Sequence, residues 1–356
     1  MKLLKRLYEI HSPSRNENRI RTFIKQHVSK NIPDAVIEQD AIGNLYITRG
    51  IVENYPCIVA HLDQVQKIHS RDFRAIETRD IIFGYSPSKR QWEGLGADDK
   101  NGIWIALQCL ARYDVIKIAF FVGEEIGCVG SNAANMTFFE NCRFVIQPDR
   151  RGYNDIITQI SWERICSEEF LHDVEPERFS YRPQAGMMTD VEALRGNGLS
   201  VSCINLSCGY YEPHTDNEFT VKEDLMNCLY FVRHIIETCT KVYAYESTEG
   251  YHGHSPYWDT DDYNGTEDMM FDIMMANPDY TPEDAWEVYC MNFPELTETE
   301  FLEMYEERML AYGIEMPEES ALSERKSSDK SSVKKKSKRG KRKIGFFTKS
   351  EKRICD

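Results

Sequence analysis

The chain of 356 residues is long enough for two ordinary domains, or for one large domain with appended segments. Hydrophobic residues make up 41% of it and aromatic residues 12%, which excludes a wholly disordered protein. No apolar run approaches the ~20 residues of a transmembrane helix, so the sequence predicts no membrane span. The N-terminus is not a typical export signal, and the eleven cysteines form no Cys-x-x-Cys pair. These features predict reduced thiols and a cytoplasmic protein.

The formal net charge of −15 is distributed unevenly along the chain. Residues 1–245 carry −5, residues 246–323 carry −20, and residues 324–353 carry +11. Such blocks predict a near-neutral globular domain over 1–245, then an acidic linker with short helices up to residue 322. A basic tail over 323–356 has the Ser/Lys/Arg composition of a disordered segment.

The spacing of apolar residues alternates between helical and strand-like over the first 245 positions. Ser14, with Glu17 three residues later, predicts a capping box at the start of the second helix. Several strands are apolar throughout and are separated by helices, which predicts an α/β fold, a three-layer αβα sandwich with a mostly parallel central sheet. In chain order, after two N-terminal helices, the elements are strands 35–39, 44–49, 57–60, 73–77 and 81–85, a helix from about 99, strand 116–122, helix 131–140, strand 143–147, helix 188–195, strand 199–206 and helix 221–241. Beyond them, short helices are predicted over 266–275, 281–290 and 297–311.

Acidic and imidazole side chains are concentrated where predicted strands end. In open α/β sheets ligands bind at the carboxyl ends of the strands, so we expect these side chains to lie together. Two neutral imidazoles and three carboxylates suit a pair of divalent metals, and nitrogen and oxygen donors without thiolate favour zinc, with manganese or cobalt also possible. The segments are His61-x-Asp63, Asp98-Asp99-Lys100-Asn101-Gly102, Glu124-Glu125-Ile126-Gly127, Gln147-Pro148-Asp149 and His214-x-x-x-Glu218.

These motifs, in this order, resemble those of the co-catalytic zinc exopeptidases, which include peptidase T, carboxypeptidase G and the glutamyl and leucyl aminopeptidases. The resemblance covers about residues 1–241. It implies the zinc-peptidase-like phosphorylase/hydrolase fold, two bound zinc ions and the hydrolysis of peptide bonds in small peptides. Residues 1–245 would then form a metallopeptidase catalytic domain.

The resemblance also implies a metal-binding role for one residue of each motif. Asp98 would bridge the two metal ions, and His61 and Asp149 would complete one site. Glu125 and His214 would complete the other site.

Two further acidic residues receive roles from the same resemblance. Asp63 would contact His61 without binding metal itself, and so fix the tautomer of the imidazole. Glu124 would be the general base acting on a water that bridges the two ions. Because adjacent side chains on an extended chain point in opposite directions, one glutamate of the pair would bind metal while Glu124 faces the water.

The spacing of the motifs departs from that of the family members with a second domain. Only 64 residues separate Asp149 from His214, and 34 separate Asp63 from Asp98. Neither interval has room for the lid or dimerisation domain found in those relatives. The sequence therefore predicts a catalytic domain without an inserted lid.

Several alternatives stay open at the level of sequence. The activity is predicted to be that of an exopeptidase of the aminopeptidase or tripeptidase kind, but an N-acyl-amino-acid deacylase or carboxypeptidase, or an inactive binding scaffold, would use the same residues. Arg150 and Arg151 are either a solvated pair or contacts for a substrate carboxylate, and Thr189 and Asp190 either cap a helix or contact the metal site. The basic run 334–343 leaves nucleic-acid binding open, although it lacks interleaved aromatic residues. The oligomeric state and the preferred side chain are not predicted.

Overall fold

The computed structural model describes residues 1–160, 163–245, 281–289 and 296–311. Within these ranges the helices are α1 (Lys2–Tyr8), α2 (Asn18–Asn31), α3 (Ala97–Arg112), α4 (Val129–Asn132), α5 (Glu168–Val174), α6 (Asp190–Gly196), α7 (Lys222–Thr238), α8 (Pro282–Tyr289) and α9 (Glu298–Ala311). The strands are β1 (Val36–Gln39), β2 (Leu45–Arg49), β3 (Tyr55–His61), β4 (Arg74–Glu77), β5 (Ile81–Ser86), β6 (Gln91–Trp92), β7 (Ile116–Phe121), β8 (Cys142–Arg150), β9 (Asp155–Ile160), β10 (Glu163–Arg164), β11 (Arg182–Gly186), β12 (Cys203–Ser207), β13 (Tyr210–Tyr211) and β14 (Phe219–Val221).

The larger sheet of the described residues has nine strands in the order β1-β2-β7-β3-β8-β12-β9-β10, with β11 paired to β9. Its four central strands, β7, β3, β8 and β12, run parallel to one another. Antiparallel pairs flank them on both sides. The predicted α/β class with a mostly parallel central sheet is confirmed.

Successive side chains of the buried central strands point to opposite faces of this sheet. Both faces are therefore apolar, and helices cover both. In β3, Ile58 and Ala60 pack with residues of α1, α2, α3 and α7 in one hydrophobic cluster. Cys57 and Val59 pack in a second cluster, which includes residues of α6. The chain therefore has the three layers that the apolar strands predicted.

A smaller antiparallel sheet was predicted only in part. Its strands lie in the order β13-β14-β5-β4, with β6 paired to β5. The sequence predicted β4 and β5, but not that β14 pairs with β5, where Thr220 lies opposite Ile82. This pairing joins segments far apart in the chain, so no local pattern reveals it. It brings the segment around His214 close to the start of α3.

Two local predictions are wrong. Helix 131–140 is instead the short helix α4 followed by a 3₁₀ turn at Met136–Phe138. Between them Asn135 is extended, and its side chain accepts a hydrogen bond from the N–H of Thr137, which interrupts the helix. The capping box is also wrong, because the hydroxyl of Ser14 donates to Asp63, 2.7 Å away, rather than to the first turn of α2.

The intervals between the ligand motifs contain no separate inserted domain among the described residues. Between Asp149 and His214 the chain adds β9, β11 and β12 to the large sheet and places α6 on that sheet. Strand β9, helix α5 and strand β11 were not assigned from the sequence. The interval between Asp63 and Asp98 forms β4, β5 and β6 of the small sheet. A catalytic domain without an inserted lid stays a prediction.

Helices predicted over 281–290 and 297–311 are confirmed as α8 and α9, whose Trp286 and Phe301 rings lie 5.1 Å apart. The predicted helix 266–275 and the basic run 334–343 lie outside the described residues. Across the described ranges, none of the helices is long and apolar enough to cross a membrane. The nine cysteines of the same ranges are all free and buried, as expected for reduced thiols.

Candidate metal centre

The candidate site lies where three neighbouring strands of the large sheet end. Strand β3 ends at His61, and β7 beside it is followed by a turn that carries Glu124 and Glu125. On the other side of β3, strand β8 carries Asp149 next to its last residue. The start of α3 adds Asp98 to the same place. The expectation that these side chains meet at the carboxyl ends of the strands is confirmed for these elements.

Asp98 lies between the two imidazoles and presents a different oxygen to each. Its Oδ1 is 3.0 Å from Nε2 of His61, and its Oδ2 is 3.5 Å from Nε2 of His214. Asp149 Oδ1 lies 3.4 Å from Nε2 of His61, and Glu125 Oε2 lies 3.1 Å from Nε2 of His214. The side chains thus form two three-residue groups that share Asp98, and the ligand atoms of each group lie within 4.8 Å of one another.

The two adjacent glutamates are separated by a turn of the backbone and not by an extended chain. Glu124–Ile126 forms a 3₁₀ turn, flanked by Gly123 at φ 63° and Gly127 at φ 99°. These left-handed conformations favour glycine, which explains both glycines of the motif. Glu125 faces His214, whereas Oε2 of Glu124 lies 3.9 Å from Nε2 of His61. The two carboxylates therefore face different imidazoles, although the backbone between them is not extended as the sequence predicted; their separate roles stay a prediction.

Asp63 connects the imidazole to this turn. Its Oδ1 lies 3.4 Å from Nδ1 of His61 and accepts the N–H of Glu124 at 3.0 Å. Its Oδ2 accepts the N–H of Glu125 at 3.3 Å and the hydroxyl of Ser14. Asp63 therefore holds the backbone of the Glu124–Glu125 turn by two hydrogen bonds and lies beside the imidazole of His61.

The electrostatics of the site reflect many charges in a buried space. Burial raises the pKa of Glu124 and of Asp149 well above the ordinary range, although the nearby His61 acts in the opposite direction. Burial alone would lower the pKa of His61, but the charges of Asp149 and Glu124 raise it well above its usual value. The pKa of His214 is likewise raised against the effect of burial, mainly by Glu125. A cation in this space would neutralise the crowded carboxylates.

The donor atoms of the site fit a divalent metal. They are imidazole nitrogens and carboxylate oxygens, which are typical ligands of zinc. Oε1 of Glu125 is buried and has no hydrogen-bond partner among the described residues. Buried oxygens of native proteins are seldom left without a partner, and a bound metal ion would provide one.

Asp149 is held by hydrogen bonds from Gln147 and Asn205, to which the sequence analysis gave no role of their own. Gln147 donates to Oδ2 of Asp149 at 2.8 Å, and it accepts the hydroxyl of Thr189 at 2.7 Å. Thr189 therefore supports Asp149 through Gln147, and its side chain makes no capping hydrogen bond to α6. Asn205 accepts the N–H of Asp149 and donates to its carbonyl. The only signal in the sequence was a glutamine or an asparagine inside an otherwise apolar strand.

Three other residues near the motifs have structural partners. Asp99 accepts the N–H of Gly102 at 2.9 Å, three residues further along α3, as an N-cap residue does. The guanidinium of Arg150 pairs with Asp155 at 3.0 Å, so it is engaged beside the site. Glu218 is completely buried next to the start of α3, and this burial raises its pKa to about 7.

Comparisons with protein-family models and with curated proteins find no match to this sequence. Among solved structures, the fold is similar to aminopeptidase PepT from Bacillus cereus, with a TM-score of 0.52 at 15% identity. That match covers 67% of this chain and 98% of the other. A tripeptidase from Staphylococcus aureus also has a TM-score of 0.52, at 14% identity over 66% of this chain and 96% of its own.

The chain has the fold of these two peptidases. The predicted resemblance is therefore confirmed at the level of the fold. At such low identity the likeness establishes the architecture alone, so the activity has to be inferred from the side chains of the site.

Proposed function

We propose that this chain is a metal-dependent hydrolase of peptide bonds that acts on small peptides. The observation that carries the proposal is the pair of His/carboxylate groups sharing Asp98, with a further carboxylate, Glu124, beside one of them. The fold shared with an aminopeptidase and a tripeptidase supports the same conclusion. We further propose that the enzyme is an exopeptidase, since its motifs resemble those of co-catalytic zinc exopeptidases.

The metal would be held by the two groups already described. His61 and Asp149 would hold one ion and Glu125 and His214 the other, with Asp98 bridging both. Zinc suits these donors best, and cobalt or manganese are accepted by the same ligand types. Two such ions supply an activated water, polarise the scissile carbonyl and stabilise the negative charge that develops on its oxygen.

Glu124 would move the proton. Its carboxylate lies next to His61 and is only slightly exposed, at 14% of the side-chain surface. From there it would accept a proton from the attacking water and deliver it to the leaving amine. A general acid–base group of this kind contributes a factor of about 10²–10⁴ to the rate. Asp63, which binds the N–H groups of Glu124 and Glu125, would keep the base in place.

The proposal includes the predicted cytoplasmic location. It is supported by the cysteines, since all nine within the described residues are free and a chain in an oxidising compartment tends to pair them. Binding of nucleic acid by the basic run 334–343 is not part of the proposal.

A panel of dipeptides and tripeptides, free and blocked at either end, tests the function. Each is assayed with the metal-free protein and with added zinc, cobalt or manganese, and bound metal is counted per chain. We expect about two equivalents of metal and hydrolysis that requires a free peptide terminus. Preference for N-acylated amino acids would instead identify a deacylase or carboxypeptidase. A folded chain that binds no metal and cleaves no substrate would be a binding scaffold, and the proposal would be wrong.

A chain shortened to residues 1–245 is expected to remain active. All proposed ligands and the general base lie at or before His214, and α7 covers the sheet after them. The kcat/KM for a tripeptide should stay within about tenfold of the full-length value, or ~1.4 kcal/mol in transition-state free energy. Metal content and the unfolding temperature show whether the shortened chain is intact. An intact, metal-loaded chain without activity would place residues beyond 245 in the active site.

A further inference from the structure

Glu218 makes an unusual set of contacts with the segment that carries the bridging carboxylate. Its Oε1 accepts the backbone N–H groups of Ala97 at 2.8 Å and of Asp98 at 3.0 Å. Its Oε2 accepts the N–H of Gly96 at 2.5 Å. Three successive backbone donors therefore converge on one carboxylate, and the last of them belongs to Asp98 itself.

These contacts are shielded from solvent. Glu218 has no exposed surface, and the remaining donor at its Oε2 is the side chain of Gln66, 3.3 Å away. Hydrogen bonds from backbone N–H groups to a buried carboxylate are charge-assisted and stronger than those between neutral groups. Both oxygens of Glu218 are used as acceptors. A glutamine would have only one acceptor oxygen and would turn its NH₂ group toward backbone donors on the other side.

The loop that carries Glu218 also carries a proposed ligand. His214 precedes Glu218 by four residues, and between them Asp216 accepts the N–H of Gly94 at 3.1 Å. The segment from Gly94 to Asp98 is thus held at both ends by the loop between β13 and β14. The pairing of β14 with β5 anchors that loop to the small sheet. The relative placement of Asp98 and His214 therefore depends on these contacts.

His61 and Asp149, the other proposed ligands of the group that does not contain His214, are held by other means. His61 belongs to the central strand β3, and Asp149 is fixed by Gln147 and Asn205. None of these three supporting elements is among the hydrogen-bond partners of Glu218 described above. Because Glu218 lies on the same loop as His214, a disturbance there should displace both Asp98 and His214 of one group, but only Asp98 of the group containing His61.

We propose that Glu218 is a positioning residue that holds the backbone of Asp98 so that its carboxylate meets the metal group of Glu125 and His214. This inference rests on the proposed function, because it concerns the same metal centre. Residues behind metal ligands typically contribute a factor of about 10–100 to metal affinity. Replacing Glu218 should therefore lower the metal affinity of the group of Glu125 and His214 more than that of the group of His61 and Asp149.

Titration of the metal-free protein with cobalt tests the inference through the visible absorption of the bound ions. Glu218→Gln is expected to bind one of the two cobalt equivalents about 10–100-fold more weakly than the wild type, with a smaller change at the other. Glu93→Gln is the matched control. Glu93 is also buried and accepts a backbone N–H, that of Ser70 at 2.9 Å, but it makes no hydrogen bond to the Gly96–Asp98 segment. We expect Glu93→Gln to bind both equivalents of cobalt with wild-type affinity.

The possible outcomes distinguish a failure of this inference from a failure of the proposed function. Unchanged affinity in Glu218→Gln, or equal loss at both sites, would overturn the positioning role while leaving the metal centre intact. A wild-type chain that takes up no cobalt would overturn the proposed function and the role of Glu218 with it. Near-UV circular dichroism of the metal-free variants establishes that they are folded. If Glu218→Gln does not fold, Asp216→Ala decides: greater weakening at one of the two sites supports the inference, and wild-type affinities or equal loss at both sites contradict it.

Discussion

Replacing Glu124 with glutamine is expected to abolish most of the peptide hydrolysis while leaving metal binding nearly unchanged. Glutamine fills the same volume but cannot accept a proton from water. The structure places Glu124 beside His61 and outside both three-residue ligand groups, so its loss should not open either group. We expect kcat to fall by about 10²–10⁴-fold, with metal content near the wild-type value. Steady-state kinetics on a tripeptide and metal analysis of the same preparation measure both.

The neighbouring glutamate provides the control. Glu125→Gln alters a proposed ligand 3.1 Å from His214 and should lower the affinity of one metal site. The two variants change adjacent residues in the same way, so a difference between them reports their roles and not the local chemistry of the substitution. If Glu124→Gln lost both metals, or Glu125→Gln kept both and lost only turnover, the assigned roles would have to be exchanged.

Replacing Asp98 with alanine is expected to remove both metals together. Its two oxygens face different imidazoles, at 3.0 Å and 3.5 Å, so one carboxylate serves both groups. After its loss each group retains only one imidazole and one carboxylate. Partners behind a ligand already contribute about 10–100-fold to metal affinity, so we expect loss of the shared ligand itself to weaken both sites by more than about 10²-fold and to leave no tightly bound metal after dialysis. Hydrolysis should fall below detection at the metal concentration that saturates the wild type.

His214→Ala is the comparison for Asp98→Ala, because it should cost one metal ion instead of two. It removes a proposed ligand only from the group of Asp98, Glu125 and His214, so one equivalent of metal should remain with His61, Asp98 and Asp149. His214 has 30% of its side chain exposed, and its replacement leaves little buried space. Thermal unfolding of the metal-free variants checks that both are folded. One tightly held equivalent in Asp98→Ala would show that Asp98 is a terminal ligand of a single site.

Local chemistry makes the motifs of the proposed metal site recognisable in the sequence. His61 follows an apolar strand, Glu124 and Glu125 lie between two glycines, and Asp98 precedes a helix with apolar spacing. Buried parallel strands have few polar residues, so acidic and imidazole side chains at their ends stand out. The same reasoning failed where polar side chains compete with the backbone, as Asn135 does at the predicted helix 131–140.

The sequence by itself determined the α/β class, the order of the main elements and the residues that converge at the strand ends. These depend on hydrophobic periodicity and on short motifs, which are local properties of the chain. Only the tertiary structure decided how the proposed ligands are supported. Gln147 reaches Asp149 within one strand, but Ser14 reaches Asp63 across 49 residues and Glu218 reaches Asp98 across 120. Such contacts follow from strand pairing between distant segments, because a hydrogen bond formed by the folded chain leaves no periodic trace in its sequence.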